Sequence, residues 1–456
     1  MVILSHPARE LGPIRVALTG ANGGYGRTFL AQLSNTPEII PAVLVDPDTE
    51  GVVRMLHDLG TEHAAVVVSE DGTDTAKHVS EGQIVVVPSD EAIDWRGVDV
   101  LVEACGHVDS GYRYAATALE NDTHVVMVSK EVDTVVGIEL GVLAASRQLS
   151  YLPADGDQPA NLLRLLDWVA AVGLDVVAIG KSSEYDLEFE PATGIVRQSE
   201  SSINAPALAD LLELGDDVRA TLALRAEAVV GLKRAAAADS CEMTVVATRT
   251  GLKADIEGLH YPVARIDELA DIYALRDDGG ILGRDGIVDV FSALRLPGEA
   301  SFAGGVFVII RTGDSVTWDT LRGKGHVLSR DGKYACIYWP YHYMGVETPL
   351  TVHAAVAGVG GRPAEWTTVL AARAIEDLEA GTTFTVTGHH HEILGIAPVM
   401  IEPNIEAAPY YLLDGARLRQ PVAKGSVVTL VDIEGVDAAA LSAYIRGAAR
   451  AQETEK

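Results

Sequence analysis

The chain has 456 residues, enough for two or three domains, and its 48% hydrophobic and 22% charged content is that of a globular protein with a large core. Its 65 acidic and 35 basic residues give a formal net charge of −30, a field that repels DNA, RNA and anionic membranes and argues against all three as partners. Only Cys105, Cys241 and Cys336 carry thiols, too far apart for a disulfide framework or a metal motif, so a reducing cytoplasm is the expected compartment.

In chain order, residues 1–10 lack the basic region and long apolar run of a signal peptide, and no stretch reaches the roughly 18 uninterrupted apolar residues of a membrane-spanning helix. Residues 14–30 hold the strongest signal. A β-forming run ends at Gly20, glycines recur at Gly23 and Gly26, and a helical apolar pattern follows. Gly20 permits a tight turn, Gly23 lets a pyrophosphate approach the backbone, and Gly26 lets helix and strand pack closely. The N–H groups and positive dipole end of the new helix would face the phosphates, with Asn22, Gly24 and Tyr25 in the same loop. The spacing is G-x-x-G-x-x-G rather than G-x-G-x-x-G, and a glycine-rich turn of another α/β protein is the plain alternative. Residues 42–46 read as the next strand, and Asp46, twenty residues past Gly26, could bind a ribose 2′-hydroxyl.

Residues 50–82 read as an acidic, polar insertion. Val-rich runs at 83–88, 98–103 and 124–129 predict buried strands of a parallel sheet, with a crossover helix over 111–120. The expected fold class is therefore α/β, with a doubly wound dinucleotide-binding domain over 14–150. From 151 to 360 the pattern becomes α+β: a helix from Asn161 to a capping Gly173, a strand over 175–180, helical segments near 205–214 and 218–230, and a strand over 305–311. Residues 366–436 read as a small β-rich clip, and the polar tail 448–456 is expected to fray.

Chemistry is expected at the strand ends of the first domain, where open α/β sheets bind ligands. Glu103-Ala-Cys105-Gly106 closes one strand, and Gly106 would let a nicotinamide approach the backbone; a plain turn is the alternative. Lys130 follows the next strand and could polarise a carbonyl or relay an alcohol proton, unless it is a surface lysine. Asp155 and Asp157 flank Gly156 ahead of the Asn161 helix and could order a hydroxylated substrate, bind a cation, orient Lys130 or cap that helix. Lys181 and Glu184, in Gly180-Lys-Ser-Ser-Glu-Tyr-Asp186, could hold a polar substrate, with Lys181 the best candidate for a carboxylate or phosphate. Ser240-Cys-Glu-Met243 and the run from Tyr341 to Thr348 are weaker; His342 could be a proton shuttle, but reads rather as a buried, hydrogen-bonded structural histidine. Adjacent side chains diverge, so His389-His390-His391 reads as a solvated loop and no metal site is assigned.

Gly20-x-x-Gly23-x-x-Gly26, Glu103-Ala-Cys-Gly106, the run from His124 to Asp133, Asp155-Gly-Asp-Gln-Pro159, Gly180-Lys181 and the glycine turns at Gly381 and Gly425 together resemble the homoserine-dehydrogenase-like oxidoreductases with a C-terminal SAF domain. One branch is similar to the 1-deoxy-D-xylulose 5-phosphate reductoisomerase-like enzymes, which make 2-C-methyl-D-erythritol 4-phosphate with NADPH. In that branch the strand-end motif reads Asn-Val-Glu-Ala-Asp; here it is Ser129-Lys-Glu-Val-Asp133. A lysine there brings the chain nearer to plain dehydrogenase chemistry.

The resulting expectation is a homo-oligomeric NAD(P)(H)-dependent oxidoreductase, leaning to NAD(H), acting on a small polar hydroxy or keto compound. Lys130, Asp155, Asp157, Lys181 and Glu184 would form its site. The rivals are a reductoisomerase, the one case calling for a divalent metal, and a non-catalytic nucleotide or sugar sensor.

Overall fold

Seven parallel strands in the order β3-β4-β2-β1-β5-β6-β7 form the first sheet. They are β1 (Ile14–Thr19), β2 (Ile39–Val45), β3 (Val66–Val68), β4 (Ile84–Val87), β5 (Val100–Glu103), β6 (His124–Met127) and β7 (Tyr151–Pro153). Helices α1 (Gly24–Gln32), α2 (Thr49–Asp58), α3 (Thr75–Ser80), α4 (Val108–Glu120) and α5 (Lys130–Ser146) connect them. The computed structural model describes residues 12–359, 361–388 and 390–454; the readings of residues 1–10 and of His389 lie outside these. Val16, Leu18, Val86, Val100, Val102 and Val126 are fully or almost fully buried. Both faces of the sheet are covered, which is why its strands are apolar runs instead of alternating ones. The winding direction reverses between β1 and β5, and in Rossmann-like sheets the ligand crevice lies at such a point.

The stretch 50–82 is not an insertion. Asp48 caps α2 by accepting the Gly51 N–H at 2.9 Å, and Val52, Met55 and Leu56 line its buried face. β3 then pairs with β4 as the sheet edge. Its many acids occupy the outer faces, so composition hid an amphipathic helix and a short strand.

Contacts divide the chain into two compact units, and the first takes back Tyr343–Trp366 and the segment from Gly435. The helix Thr348–Val356 adds Val352 and Ala355 to the core around β1 and β6. Most of the tail expected to fray belongs to a helix, Ala438–Thr454, that packs on α5 and α4 with Arg446 paired to Glu139; residues 455–456 lie outside the described residues.

The second unit holds a ten-stranded mixed sheet. Its strands are β8 (Asp175–Ser182), β9 (Leu187–Glu190), β10 (Ile195–Gln198), β11 (Ser201–Asn204), β12 (Lys253–Ala254), β13 (Val263–Ala264), β14 (Ile287–Arg295), β15 (Val306–Arg311), β16 (Val327–Leu328) and β17 (Tyr334–Trp339). β14 runs parallel to β8, whereas β15 is antiparallel to it. The helices are α6 (Gln158–Ala171), which begins at the end of the first unit, α7 (Val218–Ala228) and α8 (Ala237–Thr250). The segment expected as a helix near 205–214 is a 3-10 turn, Pro206–Leu211, started by its proline. In the C-terminal part β18 (Val369–Ala374) pairs antiparallel with β19 (Ile396–Ile401), and β20 (Arg417–Leu418) with β21 (Ile433–Glu434). His390 and His391 are not fully solvated: their rings lie against Tyr185 and Tyr411. Among the described residues, no helix is long and apolar enough to cross a membrane.

Candidate active site

The glycine turn explains itself by contact. Gly20 has φ +62°, and a Cβ there would lie 2.3 Å from the Ala104 carbonyl oxygen just past β5. A Cβ on Gly26 would lie 2.3 Å from the Ala21 oxygen. These two glycines serve the fold. Gly23 and Gly24 differ: a Cβ at Gly23 would touch only the Gly20 oxygen, at 3.2 Å, and one at Gly24 nothing within 4 Å. No side chain caps α1, so its N-terminus retains the polarity that attracts an anion.

Asp46, just past β2, accepts the N–H groups of Asn22 and Asp48, each at 2.9 Å, and so fixes the turn. An open cleft of about 320 Å³ lies over this region, lined among others by Asn22, Gly23, Gly24, Arg27, Arg54 and Asp58. Its guanidiniums are already matched by acids: Arg54 lies 3.8 Å from Asp48 and 3.5 Å from Glu50, and Arg27 lies 3.9 Å from Asp58. Tyr25, expected in the ligand turn, faces inward. Its phenol is buried against the Thr348 hydroxyl, and burial pushes its pKa far up.

At the end of β5, Glu103 is fully buried; its Oε1 accepts the Thr19 hydroxyl at 3.2 Å and the Cys105 N–H at 2.9 Å. Burial, then the Glu103 charge, pushes the Cys105 thiol up, which favours the protonated form over the thiolate. Gly106 donates its N–H to Ser129 Oγ at 2.8 Å, and a Cβ there would meet nothing within 4 Å. The backbone beside it is open to a flat ring.

Lys130 is the first residue of α5, and its Nζ lies 3.6 Å from Asp157 Oδ1, with side chains 19% and 14% exposed. The pair is therefore shielded yet reachable. Burial pushes the neighbouring Glu131 carboxyl up to about 7 against the pull of Lys130. Asp155 plays a different part from Asp157. It is buried, its Oδ2 accepts the Thr351 hydroxyl at 2.7 Å, and its N–H donates to the Thr351 hydroxyl oxygen at 2.8 Å. It anchors the turn that presents Asp157.

In the second unit Lys181 does not follow its strand but lies within β8, fully buried. Its ammonium lies 2.9 Å from Asp239 Oδ1 and 3.2 Å from Glu184 Oε1, and also pairs with Glu242. Asp239 and Glu242 stand one turn apart on α8, which is buried from Ala237 to Arg249. The Ser183 hydroxyl donates to Asp239 Oδ2 at 2.9 Å. An ammonium shared by three carboxylates has no charge to spare for a phosphate or carboxylate, which corrects the anion-binding role expected of Lys181. Asp239 escaped the sequence reading and Glu242 ranked low; the signal was an acid pair at i and i+3 in a helical run whose one other charged residue is Arg249. The three carboxylates lie within 4.8 Å of one another, a spacing that suits a cation, and the Lys181 ammonium is a cation they share. His342 packs its ring against Gly304.

Residues 225–348 match the family model described as oxidoreductase DRL, catalytic domain. That segment resembles an oxidoreductase. No curated protein matches the sequence. Among solved structures, the chain is similar to a DOX-P reductoisomerase solved with fosmidomycin and magnesium, at 13% identity over 53% of this chain and 58% of that one, with a TM-score of 0.31. It is also similar to the dipicolinate-bound dihydrodipicolinate reductase of Paenisporosarcina sp. TG-14, at 13% identity over 76% and 98% of the two chains and a TM-score of 0.34. The 3-ketoreductase KijD10 of Actinomadura kijaniata, solved with NADP, gives 13% identity over 77% and 92% and a TM-score of 0.35. The chain thus spans little more than half of the reductoisomerase.

The geometry makes Gly23 the informative place to perturb binding. Its φ of −75° suits any residue, so Gly23→Val should fold while its branched side chain fills the space above the turn. Calorimetry should show NAD(H) affinity reduced about tenfold or more, some 1.4 kcal/mol. Unchanged affinity would mean that the pyrophosphate lies elsewhere.

Proposed function

We propose that the chain is an NAD(P)-dependent oxidoreductase that moves a hydride between the nicotinamide and a small polar hydroxy or keto compound. The observation that carries this reading is the shielded Lys130–Asp157 pair at the same sheet end as the glycine turn and the open backbone at Gly106. The nicotinamide supplies or takes the hydride when bound. Lys130 holds the proton that must move at the substrate oxygen: as the neutral amine it takes the alcohol proton during oxidation, and as ammonium it returns one during reduction. Asp157 holds the ammonium in place, and Gly106 leaves room for the ring.

Glu184, the part-exposed member of the cluster with Lys181, Asp239 and Glu242, is the substrate-side candidate of the second unit. The cluster's charge balance favours neutral hydroxylated compounds over phosphate esters. The reductoisomerase alternative draws support from the carboxylate spacing, but it needs a divalent ion where Lys181 now stands and a phosphate clamp this cluster does not offer. The homoserine-dehydrogenase-like and SAF-like resemblances belong to this proposal and rest on the sequence motifs alone.

The acids beside the cleft set the cofactor preference. Asp46, Asp48, Glu50 and Asp58 outnumber Arg27 and Arg54 and would repel a 2′-phosphate. NAD(H) should bind about tenfold or more tightly than NADP(H), and Asp46→Ala should narrow that ratio. A strong NADPH preference that Asp46→Ala leaves unaltered would remove Asp46 from cofactor recognition. The function itself is tested by following NADH formation with panels of polyols, sugar acids and their phosphates; turnover of phosphate esters alone would contradict the substrate class.

A further inference from the structure

Tyr25 sits inside the glycine turn, yet its hydroxyl reaches Thr348, more than three hundred residues away in sequence. The Thr348 hydroxyl also lies 3.1 Å from the Asp155 carbonyl oxygen, so a chain with Tyr25 donating to Thr348 and Thr348 donating to Asp155 uses one hydrogen for each contact. One turn further along the same helix, Thr351 donates to the Asp155 carboxylate and accepts its N–H. The Asp155 turn is thereby held at its backbone carbonyl, its amide and its side chain. Asp157, two residues on, faces Lys130. All of these groups belong to the first unit, and Tyr25, Thr348, Thr351 and Asp155 are buried. In a buried chain of this kind each lost hydroxyl leaves its partner unsatisfied, so the arrangement is rigid.

We propose that Tyr25, Thr348 and Thr351 are positioning residues that tie the start of α1 to the Asp155–Asp157 turn and so hold Asp157 against Lys130. They touch neither cofactor nor substrate. The chain gives the phosphate-binding end of α1 a mechanical link to the proposed acid/base, because any shift of the glycine turn moves Tyr25. The inference rests on the reading of Lys130 as the acid/base only for its consequence in turnover; the coupling itself is a property of the unliganded protein.

The charged groups near Lys130 include Asp157 across the turn and Glu131 beside it on its own helix, whose carboxyl Asp157 and Glu103 also influence, with Asp133 further along that helix. Of these, the chain controls Asp157 alone. The test is the titration of Lys130 in full-length protein carrying ¹³C at lysine Cε, with the signal assigned by its loss in Lys130→Met. Tyr25→Phe and Thr348→Val each remove one hydroxyl with little change of volume. Both should lower the Lys130 midpoint by about half a pH unit, since an ammonium loses part of its carboxylate partner. Thr348→Ser keeps the hydroxyl and should titrate like the wild type. NAD(H) affinity by calorimetry should stay within about threefold in all three, a change below about 0.7 kcal/mol. An unchanged Lys130 midpoint in both Tyr25→Phe and Thr348→Val overturns the proposal, and so does loss of NAD(H) affinity without any midpoint change, which would assign Tyr25 to the cofactor turn alone. A Lys130→Met enzyme with full turnover would remove the acid/base reading while leaving this readout intact, so the two failures are distinguishable.

Discussion

Lys130→Met should lower kcat by about 10²–10⁴-fold, the usual loss when a positioned acid/base is removed. Methionine keeps the length of the side chain and removes the charge. Lys130 is 19% exposed and faces Asp157, itself 14% exposed, so removing the charge leaves Asp157 partly solvated and the variant should fold. NAD(H) affinity should hardly change, because Lys130 stands at the nicotinamide end of the proposed site and the pyrophosphate turn lies at the end of β1. The pH profile separates this role from a steric one. A Lys130-dependent limb in kcat should vanish, and Asp157→Asn should move that limb to lower pH by withdrawing the opposite charge. A folded Lys130→Met enzyme with wild-type kcat on its substrate would sink the assignment.

Lys181→Met should instead damage the fold. It strips the shared cation from Asp239 and Glu242, both fully buried, and from Glu184, whose side chain is 25% exposed. Breaking a buried ion pair from one side costs about 3–5 kcal/mol, because the remaining charge is left in a poor solvent. For a unit of this size that is a fall in Tm on the order of 10 °C. Pairing it with Glu242→Met should recover part of the loss, since an apolar pair of similar volume replaces ions that no longer need solvation. Glu184→Gln should cost much less, as its group is part-solvated. An unchanged Tm in Lys181→Met would mean that the cluster carries its charges some other way.

Much of the first sheet was legible because its signal is local. Valine runs mark strands buried on both faces, and a glycine spaced for a turn, a helix start and a close contact each leave one residue in the sequence. Gly20 and Gly26 do what that spacing implies, each standing where a Cβ would strike a carbonyl oxygen. Lys130, chosen at a strand end, and Asp157, chosen ahead of the Asn161 helix, come within 3.6 Å of each other. What stayed hidden depends on long-range contacts. Nothing in the local pattern shows that helix Thr348–Val356 returns to β1 and β6, so Thr348 and Thr351 passed as ordinary threonines and Tyr25 as a ligand contact. Lys181 passed for an anion site because Asp239 and Glu242 lie more than fifty residues away in sequence. The stretch 50–82 passed for an insertion because acidic composition outweighed the apolar spacing of Val52, Met55 and Leu56.

The most direct test of the central claim is a crystal structure of the complex with NAD(H). The account predicts the pyrophosphate over Gly23 and Gly24 at the start of α1, the adenosine ribose beside Asp46, and the nicotinamide ring against Gly106 with its C4 turned toward Lys130. A dinucleotide bound away from the glycine turn, or a nicotinamide facing away from the Lys130–Asp157 pair, would contradict it.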